Sequence, residues 1–377
     1  MTSPVSRTAA VWLLNAGFVV TGMVTTMLGP LLPWLSLKWG ISDAEAGSLF
    51  TAQFAGALVA GASSGLLVER FREGWTLALG FGLMAGGVLA LGIAGFATAV
   101  TGAAIAGLGM GCVVPTTNLL AARLEPERAA ASLSLVNLSW GLGATTWPLV
   151  VGALSPAPNA TLPVLAVLCG VTALATFGVT LPRVAEPDTR SGPRRAPFGR
   201  AALFGFSLLI YTGIETSLGG WMPEHARRMS AGGPAIQWVS ASIAFWGGLT
   251  GGRALGSTHL ERRREDRAAL AGLVLAACCV VGLLAATRPA MVTVAALVGG
   301  LGLSVVFPVT VASMTRELPG RIAGPLVAFG GIGGATIPWL VGVLSSRADS
   351  LAVGLAALLI ADLILLGLHV VRIRAAP

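Results

Sequence analysis

From residue 10 to residue 37 the chain carries no charged side chain, and predominantly apolar runs of about 20 residues, the length that crosses a hydrocarbon core, recur to its far end. Runs of this length read as membrane-spanning helices. Composition agrees: 55% of the residues are hydrophobic and 11% are charged, against about 25% charged in a soluble domain. Mean hydropathy is +0.82. Glycine, with 51 residues, lets helices approach closely where apolar association in lipid gains little by itself. The expected fold class is an all-α membrane protein.

Gaps marked by Arg, Asp, Glu and Pro cut the chain into twelve expected spans: 10–37, 44–68, 75–95, 98–122, 129–154, 161–182, 200–224, 236–258, 268–287, 290–315, 322–344 and 351–371. The loops between them alternate between rich and poor in arginine. One side takes Arg7, Arg70, Arg72, Arg123, Arg128, residues 183–200, Arg262 to Arg264, Arg267, Arg316, Arg321, Arg372 and Arg374; the other takes Lys38, Arg227, Arg228, Arg288 and Arg347. The excess of basic residues on cytoplasmic loops then places both termini in the cytoplasm of a multi-pass protein of the cytoplasmic membrane. The first run is too long for a signal peptide, and no small-residue cleavage pattern closes it. The longest polar stretch, with Pro187, Ser191, Gly192, Pro193 and Pro197, reads as a cytoplasmic linker over 183–199 between an N-terminal six-helix bundle, 1–182, and a C-terminal one, 200–377.

The net charge of +8 does not indicate nucleic acid, because Lys38 is the single lysine and most arginines sit in short loops. Cys112, Cys169, Cys278 and Cys279 lie in apolar runs without metal-ligand spacing, and His225, His259 and His369 lie near span ends. With no nucleophile motif either, the reading is a non-enzyme with no metal and no cofactor.

The two halves align with each other. Gly107-Leu-Gly-Met-Gly-Cys-Val-Val-Pro115 matches Gly300-Leu-Gly-Leu-Ser-Val-Val-Phe-Pro308 without a gap, 193 residues on, and the same offset pairs Arg123, Pro126 and Arg128 with Arg316, Pro319 and Arg321. Gly141 to Gly152 matches Gly331 to Gly342 at an offset of 190, as do Thr26, Leu28, Gly29 and Pro33 with Thr216, Leu218, Gly219 and Pro223. Glycine-rich apolar sequences align by chance, but shared prolines and loop arginines at a near-constant offset do not. An even number of spans in each half makes this a parallel repeat about an axis along the membrane normal, an architecture of secondary transporters.

The loop Gly65-Leu-Leu-Val-Glu69-Arg70-Phe-Arg72-Glu-Gly74 resembles the signature between helices two and three of the major facilitator superfamily, with Glu69 where aspartate is usual. Its second-half counterpart is Gly252-Arg253-Ala-Leu-Gly256 followed by Glu261. The resemblance implies the twelve-helix fold of that superfamily and a gating latch made by Glu69, Arg70, Arg72, Arg253 and Glu261. Tyr211-Thr-Gly-Ile-Glu215, Phe245-Trp-Gly-Gly-Leu-Thr-Gly-Gly-Arg253 and Gly333-Gly-Ala-Thr-Ile-Pro338 resemble the fucose-permease-like sugar porters more narrowly. Gly29 and Val114 stand where those porters carry membrane-embedded acids on helices one and four.

Ionisable groups at membrane depth are costly to hold there, which makes each a candidate for function. Glu215 lies within about 5 Å of the middle of helix seven at 1.5 Å per residue, where it could load and release a proton or bind substrate hydroxyls. A structural acid bonded to a neighbouring helix is the alternative. Asp362 in helix twelve is equally deep and reads as structural. Gln53, Asn118, Asn137, Trp140, Tyr211 and Trp246 supply the amides, the phenol and the indoles that a sugar site needs; interhelical bonding of the amides and packing of the indoles compete with that role. Pro33, Pro115, Pro148, Pro223, Pro308 and Pro338 are expected hinges. The function these features imply is movement of a small polar solute, first of all a sugar or polyol, by alternating access in a monomer, with proton coupling through Glu215. Passive facilitated diffusion, export of drugs or lipophilic cations, carriage of organic anions, and an intramembrane enzyme or sensor are the competing readings.

Overall fold

The computed structural model describes residues 6–93, 95–154, 160–177, 198–230, 232–259 and 265–375, and helices but no strand are found among them. The helices are α1 (Arg7–Thr26), α2 (Leu28–Trp39), α3 (Asp43–Phe71), α4 (Glu73–Ile93), α5 (Phe96–Leu124), α6 (Ala129–Ala153), α7 (Thr161–Phe177), α8 (Phe198–Met229), α9 (Ile236–His259), α10 (Glu265–Leu284), α11 (Pro289–Leu303), α12 (Val306–Glu317), α13 (Gly320–Ala348) and α14 (Leu351–Arg374). Counting α1 with α2 and α11 with α12 as single broken spans leaves twelve among the described residues, at the places hydropathy indicates. Eight of these are long and apolar enough to cross a membrane by length and composition. The linker 183–199 lies outside the described residues, except for its last two, which begin α8.

The two breaks share two features, a proline just beyond them and a side chain that takes a carbonyl. Proline has no N–H to offer the carbonyl four residues before it, and its ring crowds that carbonyl. Pro30 and Pro308 therefore act at the carbonyls of Thr26, the last residue of α1, and of Ser304, the residue that follows α11. Side chains take carbonyls at both breaks. The buried Trp147 indole donates to Met27 O at 3.3 Å, and the Tyr211 hydroxyl lies 3.2 Å from Leu303 O. Of the six expected hinge prolines, only Pro308 coincides with a break; Pro33, Pro115, Pro148, Pro223 and Pro338 lie inside continuous helices.

Packing divides the chain into two units, one of residues 1–28 and 52–187, the other of residues 29–51 and 188–377. In the first unit, α1 packs on α6, and α4 packs on α5 and α7. Glycine sets two close crossings, of α1 with α6 and of α3 with α5: a side chain at Gly143 would collide with Val19 O, and one at Gly107 with Gln53 O. The second unit repeats both crossings. Gly333 rests against Leu209 O and Gly300 against Phe245 O. Gly143 and Val19 both move by 190 positions to give Gly333 and Leu209, so the sequence repeat is also a repeat of backbone contacts.

Within the second unit, the segment 29–51 is held by charge. Asp43, at the start of α3, bonds Arg228 and Ser345. Arg228 also bonds Glu224 at 2.8 Å, and Arg227 closes on both Glu224 oxygens at 2.7 and 2.8 Å. Ala44 N–H donates to Ser346 Oγ at 2.9 Å, and Thr51 Oγ1 to Ala335 O at 2.6 Å. Ser42 and Glu45 cap the same helix end, with Ser42 N–H donating to Glu45 Oε2 at 2.8 Å. Glu224 is 1% exposed and serves two guanidinium groups. Its replacement by Ala is expected to cost about 2 kcal/mol, because two adjacent arginines lose their buried counter-charge. Asp43→Ala leaves Arg228 paired with Glu224 and is expected to cost about 1 kcal/mol or less. Thermal unfolding of the two purified variants checks that order.

Candidate functional site

Tyr211 and Glu215 are four residues apart on α8 and so share one face of the helix. Arg253 approaches them from α9, near the end of that helix. The three polar groups meet at one point. Arg253 Nη2 is 2.9 Å from Glu215 Oε1 and 3.1 Å from the Tyr211 hydroxyl, which is itself 3.2 Å from Glu215 Oε1. Side-chain exposure is 14% for Glu215 and 21% for Arg253, while Tyr211 is 1% exposed. The acid and the base thus form a pair with no net charge, shielded largely by protein.

Aromatic rings enclose this group. The Phe307 ring, just past the break between α11 and α12, lies 5.6 Å from the Tyr211 ring and 6.0 Å from the Arg253 guanidinium carbon, within the range of a cation–π contact. One helical turn beyond Glu215, the Trp246 indole fills the space a side chain at Gly219 would need. Phe245 meets that indole edge-on at 4.9 Å. A neutral polar solute would find there carboxylate acceptors, guanidinium donors and apolar faces together.

The sequence-indicated residues of the first unit do not form such a cluster. Gln53 is fully buried and donates to Val24 O at 2.9 Å and to Met110 Sδ at 3.3 Å. Asn118 and Asn137 donate to Val114 O and Leu133 O of their own helices at 3.0 and 2.8 Å. The Trp140 indole donates to Thr25 Oγ1 at 3.3 Å. Thr25 is the residue that matches Glu215 across the repeat, so the first half puts an indole–hydroxyl bond where the second puts an ion pair.

Among the gating residues, Glu69 and Glu261 lie outside the residues whose side chains are described, and Arg70 is exposed. Arg72 has a left-handed backbone, φ 68°, and its N–H donates to Val68 O at 3.1 Å, ending α3 one residue before α4 begins. That conformation favours glycine, and strain of this kind collects at functional turns. Asp362 is fully buried in α14, and neither of its carboxylate oxygens has a hydrogen-bond partner among the described residues. Sequence reasoning missed Asp43, Glu224 and Arg228 as a group. The spacing of Glu224 and Arg228, four apart on one helix, was the available signal; Asp43 is 185 residues from its partner and gave none.

Comparison with known proteins places this geometry in a family context. The profile described as Major Facilitator Superfamily matches residues 14–338. The chain is 26% identical, over 87% of its own length and 75% of the relative's, to "Bypass of stop codon protein 6" of Saccharomyces cerevisiae. Its fold is similar to that of a bacterial homolog of the human lysosomal transporter Spinster, at a TM-score of 0.82 and 12% identity, covering 100% of this chain and 98% of that one. It is also similar to the E. coli fucose:proton symporter, at a TM-score of 0.64 and 17% identity, covering 99% and 100% of the two chains. Nucleoside, organic anion and peptide transporters share the fold as well.

Proposed function

Since the chain belongs to the Major Facilitator Superfamily and is therefore a membrane transporter, we propose that it moves a neutral polar solute, a sugar or polyol, across the cytoplasmic membrane by alternating access, with Glu215 as its proton-coupling group. The observation that carries this reading is the pairing of Glu215 with Arg253 at 2.9 Å. A lone buried acid would suit a lipophilic cation and a lone arginine an organic anion; a pair without net charge suits neither. It offers hydrogen-bond donors and acceptors instead, beside Trp246 and Phe307, whose faces suit the apolar surfaces of a sugar ring.

In this reading Glu215 cycles between a charged form held by Arg253 and a neutral form, and solute binding competes for the same guanidinium. Differential contacts of this kind let a ligand shift a conformational equilibrium. Gln53, Asn118, Asn137 and Trp140 are the residues of the first half proposed to bind solute, and 1–182 and 200–377 are the bundles proposed to carry out alternating access.

A thermal-shift screen of the purified protein against sugars, organic acids and cationic drugs tests the solute class, because a ligand of the native state raises its stability. Hits confined to sugars and polyols are expected; hits confined to cations or anions overturn the reading. Reconstituted Glu215→Gln protein is expected to bind the solute but no longer concentrate it. A variant that still accumulates solute against its gradient removes Glu215 from coupling.

A further inference from the structure

Tyr211 is the only tyrosine in the chain, and its buried hydroxyl has more partners than it can serve. A phenol has one hydrogen to donate and lone pairs to accept with. Arg253 Nη2 donates to the oxygen at 3.1 Å. The single hydrogen then faces two acceptors at the same distance, Glu215 Oε1 at 3.2 Å and Leu303 O at 3.2 Å. Leu303 is the last residue of α11, one residue before the Ser304 carbonyl that Pro308 has no N–H to serve, so its carbonyl lies at a helix end.

We infer that Tyr211 is a positioning residue whose one hydroxyl hydrogen switches between Glu215 and Leu303 O, tying the state of the acid to the break between α11 and α12. An ionised carboxylate accepts a hydrogen bond about twice as strong as a neutral acceptor does, so a charged Glu215 holds the hydrogen and leaves Leu303 O without it. A neutral Glu215 loses that advantage, and the hydrogen turns to the backbone, tightening the break. Loading Glu215 therefore stiffens the joint at which α12 meets α11. The inference rests on the reading of Glu215 as the group that changes state.

The repeat supplies an internal control. Moving back by 190 places, Tyr211 becomes Thr21 and Glu215 becomes Thr25; moving back by 193, Leu303 becomes Met110. Thr21 donates to Gly17 O of its own helix at 2.9 Å, and Thr25 donates to Thr21 O at 2.7 Å. In that half, α5 runs unbroken past Met110 and through Pro115. Both copies of this span carry the proline, and only the copy that meets the tyrosine is broken. Proline alone does not open the helix; the break accompanies a side chain long enough to take the carbonyl.

The sole tyrosine makes the test specific. Full-length protein labelled with ring-¹³C tyrosine is examined by infrared difference spectroscopy, with Glu215→Gln as the stand-in for the neutral acid. The phenol C–O band is expected to shift between wild type and Glu215→Gln, and amide hydrogen exchange across residues 304–309 is expected to slow in that variant. Tyr211→Phe keeps the ring against Phe307 and removes the hydroxyl; by itself it is expected to leave exchange across the same residues near wild type, and added to Glu215→Gln it is expected to raise exchange about five-fold over Glu215→Gln, the effect of losing one hydrogen bond of about 1 kcal/mol. A phenol band that is unmoved by Glu215→Gln, or exchange that Glu215→Gln does not slow or that the added Tyr211→Phe does not restore, overturns the switch. A tyrosine that only packs would give that outcome. If Tyr211→Phe does not fold, the band and the exchange in Glu215→Gln decide the matter. Neither readout needs a solute. A Glu215→Gln protein that still concentrates solute while its tyrosine band shifts defeats proton coupling and leaves the switch standing.

Discussion

Arg253→Met is expected to be among the most damaging single substitutions at the site, lowering stability by about 3 kcal/mol or more and abolishing transport. The change removes the cation from a carboxylate held largely away from water, and breaking a buried pair from one side leaves a charge that costs about 3–5 kcal/mol. It also takes from the Tyr211 oxygen the donor at 3.1 Å. The companion double variant, Glu215→Gln with Arg253→Met, has no orphaned charge and is expected to melt higher than Arg253→Met alone. Thermal unfolding of the wild type, both single variants and the double variant closes a cycle that reads the coupling directly. A coupling near zero would mean that the two groups act independently, and the neutral-pair account of the site would fall.

The second large effect lies in the scaffold. Gly333→Ala is expected to prevent stable folding or to cost upwards of 3 kcal/mol, the far end of what overpacking does. The added methyl would overlap Leu209 O, a backbone atom that cannot rotate aside. Gly143→Ala is expected to act alike, against Val19 O. Gly82→Ala is the control: nothing lies within 4 Å of that position, and the substitution is expected to be neutral or to stabilise α4 by about 0.5–1 kcal/mol. The yield of monodisperse protein in detergent and its melting temperature separate the three. Equal behaviour of Gly82→Ala and Gly333→Ala would contradict the close crossing of α8 and α13.

The twelve spans were legible because lipid enforces one rule along the whole chain, and the helices follow the hydropathy closely. Glu215 was legible for the same reason, as an acid where acids are costly. Tyr211 was legible as its neighbour, because four residues are one helical turn. Arg253 was visible as a charge but not as the partner of Glu215, since the 38 positions that separate them carry no local period. The helix breaks were half legible. Prolines were easy to see, yet which of them would open a helix depended on Trp147 and Tyr211 reaching the carbonyls, a tertiary matter that periodicity does not encode. The bonds of Asp43 to Arg228 and Ser345 were illegible for a related reason: they join residues 185 and 302 positions apart through groups that look like ordinary helix-end charges.

The paired contacts of Gly143 with Val19 O and of Gly333 with Leu209 O bear on how such a chain can change over generations. Two copies of one unit are pinned at the same points, because a side chain there is refused in either copy by the same backbone atom. The faces between those points carry no such restriction. One copy could keep small hydroxyls at Thr21 and Thr25 while the other took on Tyr211 and Glu215, and the crossing geometry of both stayed as it was. Duplication, in this fold, separates the part that must stay alike from the part that is free to acquire chemistry.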